Sequence, residues 1–390
     1  MLQRDDTQLY RGLPTIADYD FLLGSLAGAA DGWFSLVKGH AQRPPKSALA
    51  ADGTLNLAEV YDAVGQGYSL LLTKLHKRDR AVGELCRKIE AEFSKRGILL
   101  IRPVGANAYL TPRSAQGFAT HYDDHDVLVL QLAGHKVWRL YRRAVDSPSE
   151  PPVRPLTAAE SGKPVQEFTL SPGDLIYMPR GFAHEASTAD DVSLHLTLSL
   201  YPATWRDIFA DVLIADARFR RNLPPGFAAG GRLDASAKRK LRAMGDLLAA
   251  SPAMPSAFAQ VANRLLSESA LPSQNGLQQI MDPAPITGAS RVKLADGVRS
   301  TVEVNDGSAI LHLPGASMKA DRSLESAFRR IARGVAFKVR DLPVYADESS
   351  KLKLIEDLLR GGYLTRHSVT PRSSNPGSAA AGRRSRLRSR

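Results

Sequence analysis

The chain has 390 residues, 43% of them hydrophobic, with one cysteine and a net charge of +12. That length allows two or three domains, each able to bury its own core. A lone Cys86 excludes an internal disulfide framework and favours a reducing, cytoplasmic setting. The opening MLQRDDTQLYRGLP lacks the apolar stretch of a signal peptide, and no run of about 18 apolar residues would span a membrane. No Walker motif, helix-opening GxGxxG or CxxC pair supports nucleotide chemistry or structural zinc.

Residues 1–50 are expected to form short helices and loops wrapped around a barrel, with ADYDFLLGSLAG (17–28) as a helical patch. Residues 68–72, YSLLL, read as a strand. DRAVGELCRKIEAEFSKRG (79–97) reads as an amphipathic helix closed by Gly97. Its apolar positions Val82, Leu85, Cys86, Ile89 and Phe93 follow the helical period, and Cys86 fits a small buried hydrophobe. VLVLQLAGHKVWRLY (127–141) is apolar and β-branched, with a turn or bulge at Gly134. EFTLSPGDLIYMPRGFAHEAS (167–187) reads as strand, turn, strand and tight turn, because Ser171-Pro172-Gly173-Asp174 and Pro179-Arg180-Gly181 are turn chemistry. VSLHLTLSLY (192–201) alternates as a strand does. Repeated hairpin-like blocks suit a double-stranded β-helix, a jelly-roll barrel with a site in its mouth.

Within that barrel lies HYD, residues 121–123. Alternation along an extended strand sends His121 and Asp123 to one face. The second block delivers His184 to a strand edge. Two imidazoles and one carboxylate are the protein ligands of a mononuclear non-haem iron site with open positions. His125 is in phase with the same face, so spacing alone leaves it as a rival ligand. His40, His76 and His135 have no partner pattern.

Beyond about Pro202, residues 203–223 and 236–251 read as helices. Short strands follow at 291–296 and 309–314. SLESAFRRIARG (323–334), a link, and SSKLKLIEDLLRGGYLT (349–365) give helix, turn, helix and wing. The second of these helices carries a mixed rather than a basic face, which favours a structural role over DNA reading. Residues 371–390 carry six arginines and no acid, half of the net charge. They read as a disordered tail with weak, salt-sensitive affinity for RNA.

Four blocks in order carry a family resemblance: GANAYLTP (105–112), QGFATHYDDHDVLVLQLAGHKVWRLY (116–141), GDLIYMPRGFAHEA (173–186) and SLHLTLSLYPATW (193–205). Through them the chain resembles the JmjC-domain ribosomal oxygenases, the cupin-4 branch of the Fe(II)/2-oxoglutarate oxygenases. The resemblance implies an α+β fold: a JmjC barrel with helical flanks over 1–202, a helical dimerisation region over 203–285, a winged-helix-like domain over 286–370, then the tail. It implies His121, Asp123 and His184 as iron ligands and His125 as a non-ligand. It also implies Lys136 on the far carboxylate of 2-oxoglutarate, Asn107, Thr197 and Ser199 lining the co-substrate pocket, and Tyr109 beside them. Arg139 has no implied role.

A dicarboxylate needs a cation at its far end, and a lysine on a barrel strand provides one. From the residues alone, an exposed strand-end lysine is the competing reading. The implied activity is hydroxylation of a histidine or arginine side chain on a ribosomal protein, with Fe(II), 2-oxoglutarate and O2, by a homodimer. The alternatives are a cupin dioxygenase or isomerase acting on a small molecule, and a non-catalytic ribosome- or RNA-binding protein.

Overall fold

The computed structural model describes residues 2–3, 10–25, 33–39, 41–43, 48–51, 55–223, 235–269, 281, 285–343 and 347–367. The arginine-rich tail lies outside the described residues. Among the described residues up to 268 there are eleven strands and seven α-helices. In order they are β1 (Leu2–Gln3), α1 (Ile16–Ser25), β2 (Phe34–Lys38), β3 (Ala41–Arg43), α2 (Leu57–Gly65), β4 (Ser69–Leu72), α3 (Arg80–Lys95), β5 (Gly105–Thr111) and β6 (Asp126–Gly134). Next come β7 (Lys136–Arg143), α4 (Ala158–Ser161), β8 (Gln166–Leu170), β9 (Leu175–Met178), β10 (Phe182–Ser187), β11 (Ser193–Leu200), α5 (Trp205–Ala215), α6 (Ala235–Ala249) and α7 (Met254–Glu268).

Two sheets face each other. The larger runs β1-β9-β6-β11-β5-β4-β2-β3 and the smaller β10-β7-β8, an arrangement consistent with a double-stranded β-helix. Between them Val127, Val129, Trp138, Leu170, Ile176 and Met178 pack into one apolar layer. The opposite face of the large sheet is covered by helices. Leu194, Leu196, Leu198 and Leu200 of β11 share a core there with Val60 and Ala63 of α2 and Val82 and Cys86 of α3. The period-two alternation of β11 therefore does two jobs: its leucines bury against helices, and its polar set turns to the sheet interior.

Local chemistry sets the ends of these elements. Asp79 caps α3 by accepting the Val82 N–H at 2.8 Å, and Gly97 follows that helix with φ +71°. The Thr204/Asp207 capping box opens α5. Gly134 has φ +59°, and a Cβ there would land on the carbonyl oxygen of Val192. Only glycine lets β6 turn into β7 this close to β11.

Helices α5 and α7 bury Ile208 and Val212 against Ala257 and Val261. Residues 291–366 form a separate core. It holds one sheet with Arg291–Leu294 between Phe337–Lys338 and Leu364–Arg366, and a second sheet of Thr301–Asn305, Ser308–Leu313 and Ala316–Asp321. Helices Glu325–Ala332 and Glu348–Arg360 complete it. This unit carries more strand than sequence reading anticipates. Thr301–Asn305 and Ala316–Asp321 are short and half-exposed, so their apolar periodicity is weak. Among the described residues no helix is long and apolar enough to cross a membrane.

Candidate metal centre

His121 and Asp123 do not sit in a regular strand. They lie just before β6, where His121 forms an isolated antiparallel bridge with His184 of β10. The His121 N–H donates to the His184 carbonyl at 3.0 Å, and the His184 N–H returns a bond to His121 at 2.7 Å. Two residues beyond His121, the Asp123 carbonyl accepts the Gly181 N–H at 3.0 Å. The GDxxYxPxGxxH turn and the HxD segment thus hold each other by backbone bonds.

The outcome is a compact donor set. One ligand atom from each of His121, Asp123 and His184 lies within 4.8 Å of the others, and His125 is not part of this cluster. Both imidazoles are pre-set. His121 Nδ1 lies 2.8 Å from the Ala119 carbonyl, and His184 Nδ1 lies 3.0 Å from that of Phe182. A carbonyl can only accept, so each Nδ1 carries the proton and each Nε2 lone pair is left for a metal. Burial, and next the proximity of His121, push the His184 imidazolium down to about 4. Its ring is therefore neutral near pH 7, as a ligand must be. Two tautomer-fixed imidazoles and one carboxylate suit a first-row transition ion such as Fe(II) better than an all-oxygen site suits one.

A buttress stands behind the ligands. Glu185 accepts a bond from Thr120 Oγ1 at 2.6 Å and one from Tyr141 Oη at 3.0 Å. It also lies 3.7 Å from Arg139, which pairs with Glu167 at 2.7 Å. Thr120 and Glu185 are the immediate neighbours of His121 and His184, so this bond ties the two ligand segments together from the side. Glu185→Ala is expected to weaken metal binding by about 10- to 100-fold while leaving all three ligands in place. A competitive metal titration of the variant checks this, and wild-type affinity would refute it.

The ligands open into a cavity of about 210 Å³. Asn107, Tyr109, Lys136, Thr197 and Ser199 all line it, together with Val127, Val129 and Met178. Register explains the grouping: Thr197 of β11 pairs with Asn107 of β5, and His195 with Tyr109. Lys136 is 3% exposed. It is not an exposed strand-end lysine; its Nζ donates to Thr111 Oγ1 at 2.9 Å, which in turn accepts from Ser69. Burial pushes its ammonium down to about 7. Such a cation is poised for an anionic partner that would restore its charge. Asn107 uses its Oδ1 to hold the Lys74 N–H at 3.1 Å, which orients its amide.

His125, the spacing rival, stacks on Tyr201 with ring centroids 4.7 Å apart and bonds Asp124 at 2.8 Å. His76 accepts the Ala106 N–H, and His135 pairs with Asp191.

Two pocket residues have no role from sequence reasoning, although alternation along 193–200 puts His195 on the face of Thr197 and Ser199. His195 stacks on Tyr109 at 4.8 Å, and Trp138 packs on His184 at 5.9 Å. Both are almost fully buried, and His195 Nδ1 and Trp138 Nε1 have no hydrogen-bond partner within the protein. Burial, with Lys136 nearby, holds His195 neutral. Buried polar atoms left unpaired are costly. An unpaired indole N–H and an unpaired imidazole nitrogen beside a buried lysine fit a polar occupant. β-Strand alternation alone does not separate a packed tryptophan or histidine from one that lines a pocket.

Residues 85–208 match the family model described as a JmjC domain. Over 254 residues the chain is 36% identical to Ribosomal oxygenase 1 of Homo sapiens, covering 58% of this chain and 36% of that protein. It is 43% identical over 169 residues to the bifunctional lysine-specific demethylase and histidyl-hydroxylase NO66 of Dictyostelium discoideum, covering 42% of this chain and 32% of that one. The chain thus spans about a third of the length of these curated relatives. Among solved structures, the ribosomal oxygenase YcfD of Escherichia coli in complex with cobalt and 2-oxoglutarate is 17% identical, with a TM-score of 0.46 and 92% of each chain covered.

Proposed function

Since the chain carries a JmjC domain at residues 85–208 and is a homologue of the ribosomal oxygenases, we propose that it is an Fe(II)/2-oxoglutarate-dependent oxygenase that hydroxylates a protein side chain. The substrate we favour is a histidine or arginine of a ribosomal protein. The observation that carries this reading is the His121–Asp123–His184 donor set opening onto a cavity that ends in a buried lysine.

In this reading His121 Nε2, the Asp123 carboxylate and His184 Nε2 would hold Fe(II). When bound, Fe(II) with 2-oxoglutarate supplies reduction of O2 coupled to decarboxylation, which yields succinate, CO2 and an oxygenated product. The chain supplies position and surroundings. Lys136, steadied by Thr111, pairs with the far carboxylate, because that carboxylate returns to the ammonium the charge stabilisation that burial removed. Thr197 and Ser199 add hydroxyl contacts, and Asn107 and Tyr109 close one wall. Trp138 offers its unpaired indole N–H, and His195 its unpaired ring nitrogen, to the same occupant. Val127, Val129 and Met178 keep water from the reacting end.

Further parts of the reading rest on the resemblance and on composition. Residues 203–285 are proposed to make the dimer contact, which is in keeping with exposed Trp205, Leu213, Ile214 and Leu241. Residues 286–370 are proposed as a winged-helix-like cap, in keeping with their separate core. The tail would add RNA affinity, and the proposed setting is the cytoplasm.

The test loads the protein with Fe(II) anaerobically, adds 2-oxoglutarate and total ribosomal protein, and admits O2. Succinate formation that His121→Ala abolishes, with a one-oxygen mass gain on a ribosomal protein, is the expected result. Succinate formation equal in His121→Ala would overturn the metal assignment, and turnover with no mass gain on any ribosomal protein would overturn the substrate class.

A further inference from the structure

A second cavity, of about 250 Å³, lies on the seam where α3 and the end of α7 meet the C-terminal unit. It shares no lining residue with the metal-bearing cavity. Its charge is one-sided. Five fixed cations border it, Lys74, Lys77, Arg87, Arg102 and Arg299, against the two carboxylates of Glu90 and Glu268.

Glu90 is already engaged. It is 7% exposed, and its two oxygens accept the Val104 N–H at 2.8 Å and the Arg299 guanidinium at 3.3 Å. The second bond joins α3 to the C-terminal unit across 209 residues. Burial lowers the Arg299 guanidinium from its ordinary value, with Glu90 opposing. Lys77 and Arg87 make no ion pair with a described residue.

The frame around these cations is preformed. The Leu75–Lys77 turn is fixed at Lys74, whose backbone is left-handed at φ +54° and whose N–H is held by Asn107 Oδ1 at 3.1 Å. A Cβ at Gly83 would lie 2.7 Å from the His76 carbonyl, so glycine lets α3 press against that turn. His76 Nδ1 accepts the Ala106 N–H at 3.0 Å, which leaves the ring proton on Nε2 as a donor. Burial, and next Lys77, hold the imidazolium below its ordinary range, so His76 adds a donor rather than a sixth charge near pH 7.

We infer that this seam cavity binds a small, multiply charged anion of the phosphate class, held chiefly by Lys77, Arg87 and Arg299. Guanidinium forks match phosphate oxygens, and a partly desolvated arginine gains most from such a partner. The excess of cations over carboxylates suits an anion of more than one charge. The volume lies below the roughly 300–1,000 Å³ of sites for larger organic ligands, so the occupant is small. The inference is independent of the metal centre.

The test titrates pyrophosphate into the full chain by calorimetry at fixed ionic strength. Metal is left out, because pyrophosphate chelates divalent ions. Saturable binding is expected, weakened at least about tenfold in Lys77→Glu and in Arg87→Gln, the effect of losing one charge-assisted hydrogen bond. Lys77 is exposed, so its substitution spares the core. Lys136→Met, which removes the cation of the metal-bearing cavity, is expected to leave the Kd at the wild-type value. A parallel titration with adenosine diphosphate separates two sources of the same chemistry: a Kd no lower than that of pyrophosphate supports the free anion, and a lower one supports a nucleotide whose phosphates sit here. Absence of saturable binding, or wild-type binding in both seam variants, would overturn the site. Loss of binding in Lys136→Met would overturn it too, by assigning the anion to the metal-bearing cavity. Binding of a single-stranded RNA oligomer through Lys77 and Arg87, with none of pyrophosphate, would replace it with a nucleic-acid face.

Discussion

Lys136→Met is expected to lower affinity for 2-oxoglutarate by roughly thirty- to several-thousandfold, the range set by ~2–5 kcal/mol for removing one partner of a buried charge pair. Methionine keeps most of the stem volume, so the loss isolates the charge. The sign on stability is opposite. In the ligand-free protein the ammonium is buried with one hydroxyl partner, and its pKa is pushed down from 10.5 to about 7 by burial. Between these two values the unfolded chain holds a proton that the folded chain does not. Stability therefore rises with pH across that window, and the penalty is complete below about 7. The variant should be more stable than wild type at neutral pH without ligand, and its stability should lose that pH slope. Dicarboxylate binding to wild type above pH 7 should take up protons as the ammonium is restored. Calorimetry in buffers of different ionisation enthalpy measures that uptake, and equal uptake in Lys136→Met would refute the assignment.

Asp123→Ala is expected to reduce transition-metal affinity by at least about two orders of magnitude, more than loss of an outer-shell partner does. Its effect on the metal-free fold should be small, within about 0.5 kcal/mol. The reason is geometric. The Asp123 side chain is 26% exposed and its closest ion partner, His184 Nε2, is 3.8 Å away, while its backbone carbonyl, which holds Gly181, survives the substitution. Metal titration and thermal melting of one preparation separate the two effects. A melting temperature that falls as far without metal as with it would mark Asp123 as structural.

Much of this centre could be read from spacing. HxD and GDxxYxPxGxxH picked out His121, Asp123 and His184 but left His125 as a rival that only the family resemblance set aside, and the alternation of 193–200 put Thr197 and Ser199 on one strand face. The strand argument for HxD put His121 and Asp123 on one face of a regular strand, whereas an isolated bridge between His121 and His184 is what forms there. Depth was not legible. Periodicity says which face a side chain takes but not how far from water it lies, so Lys136 could be read as an exposed strand-end residue while it is 3% exposed. Pairings distant in sequence were hidden as well. Thr111 below Lys136, the Thr120–Glu185 tie and the stacking of His125 on Tyr201 join residues 25, 65 and 76 apart in sequence, which no local pattern encodes.

The most direct measurement is an anaerobic titration of 2-oxoglutarate into Fe(II)-loaded protein, followed by calorimetry, beside Asp123→Ala and Lys136→Met. Saturable binding that requires the metal, disappears in Asp123→Ala and weakens sharply in Lys136→Met is the predicted result. Binding of equal strength without metal, or unchanged in both variants, would contradict the assignment of this cavity to a metal and its dicarboxylate.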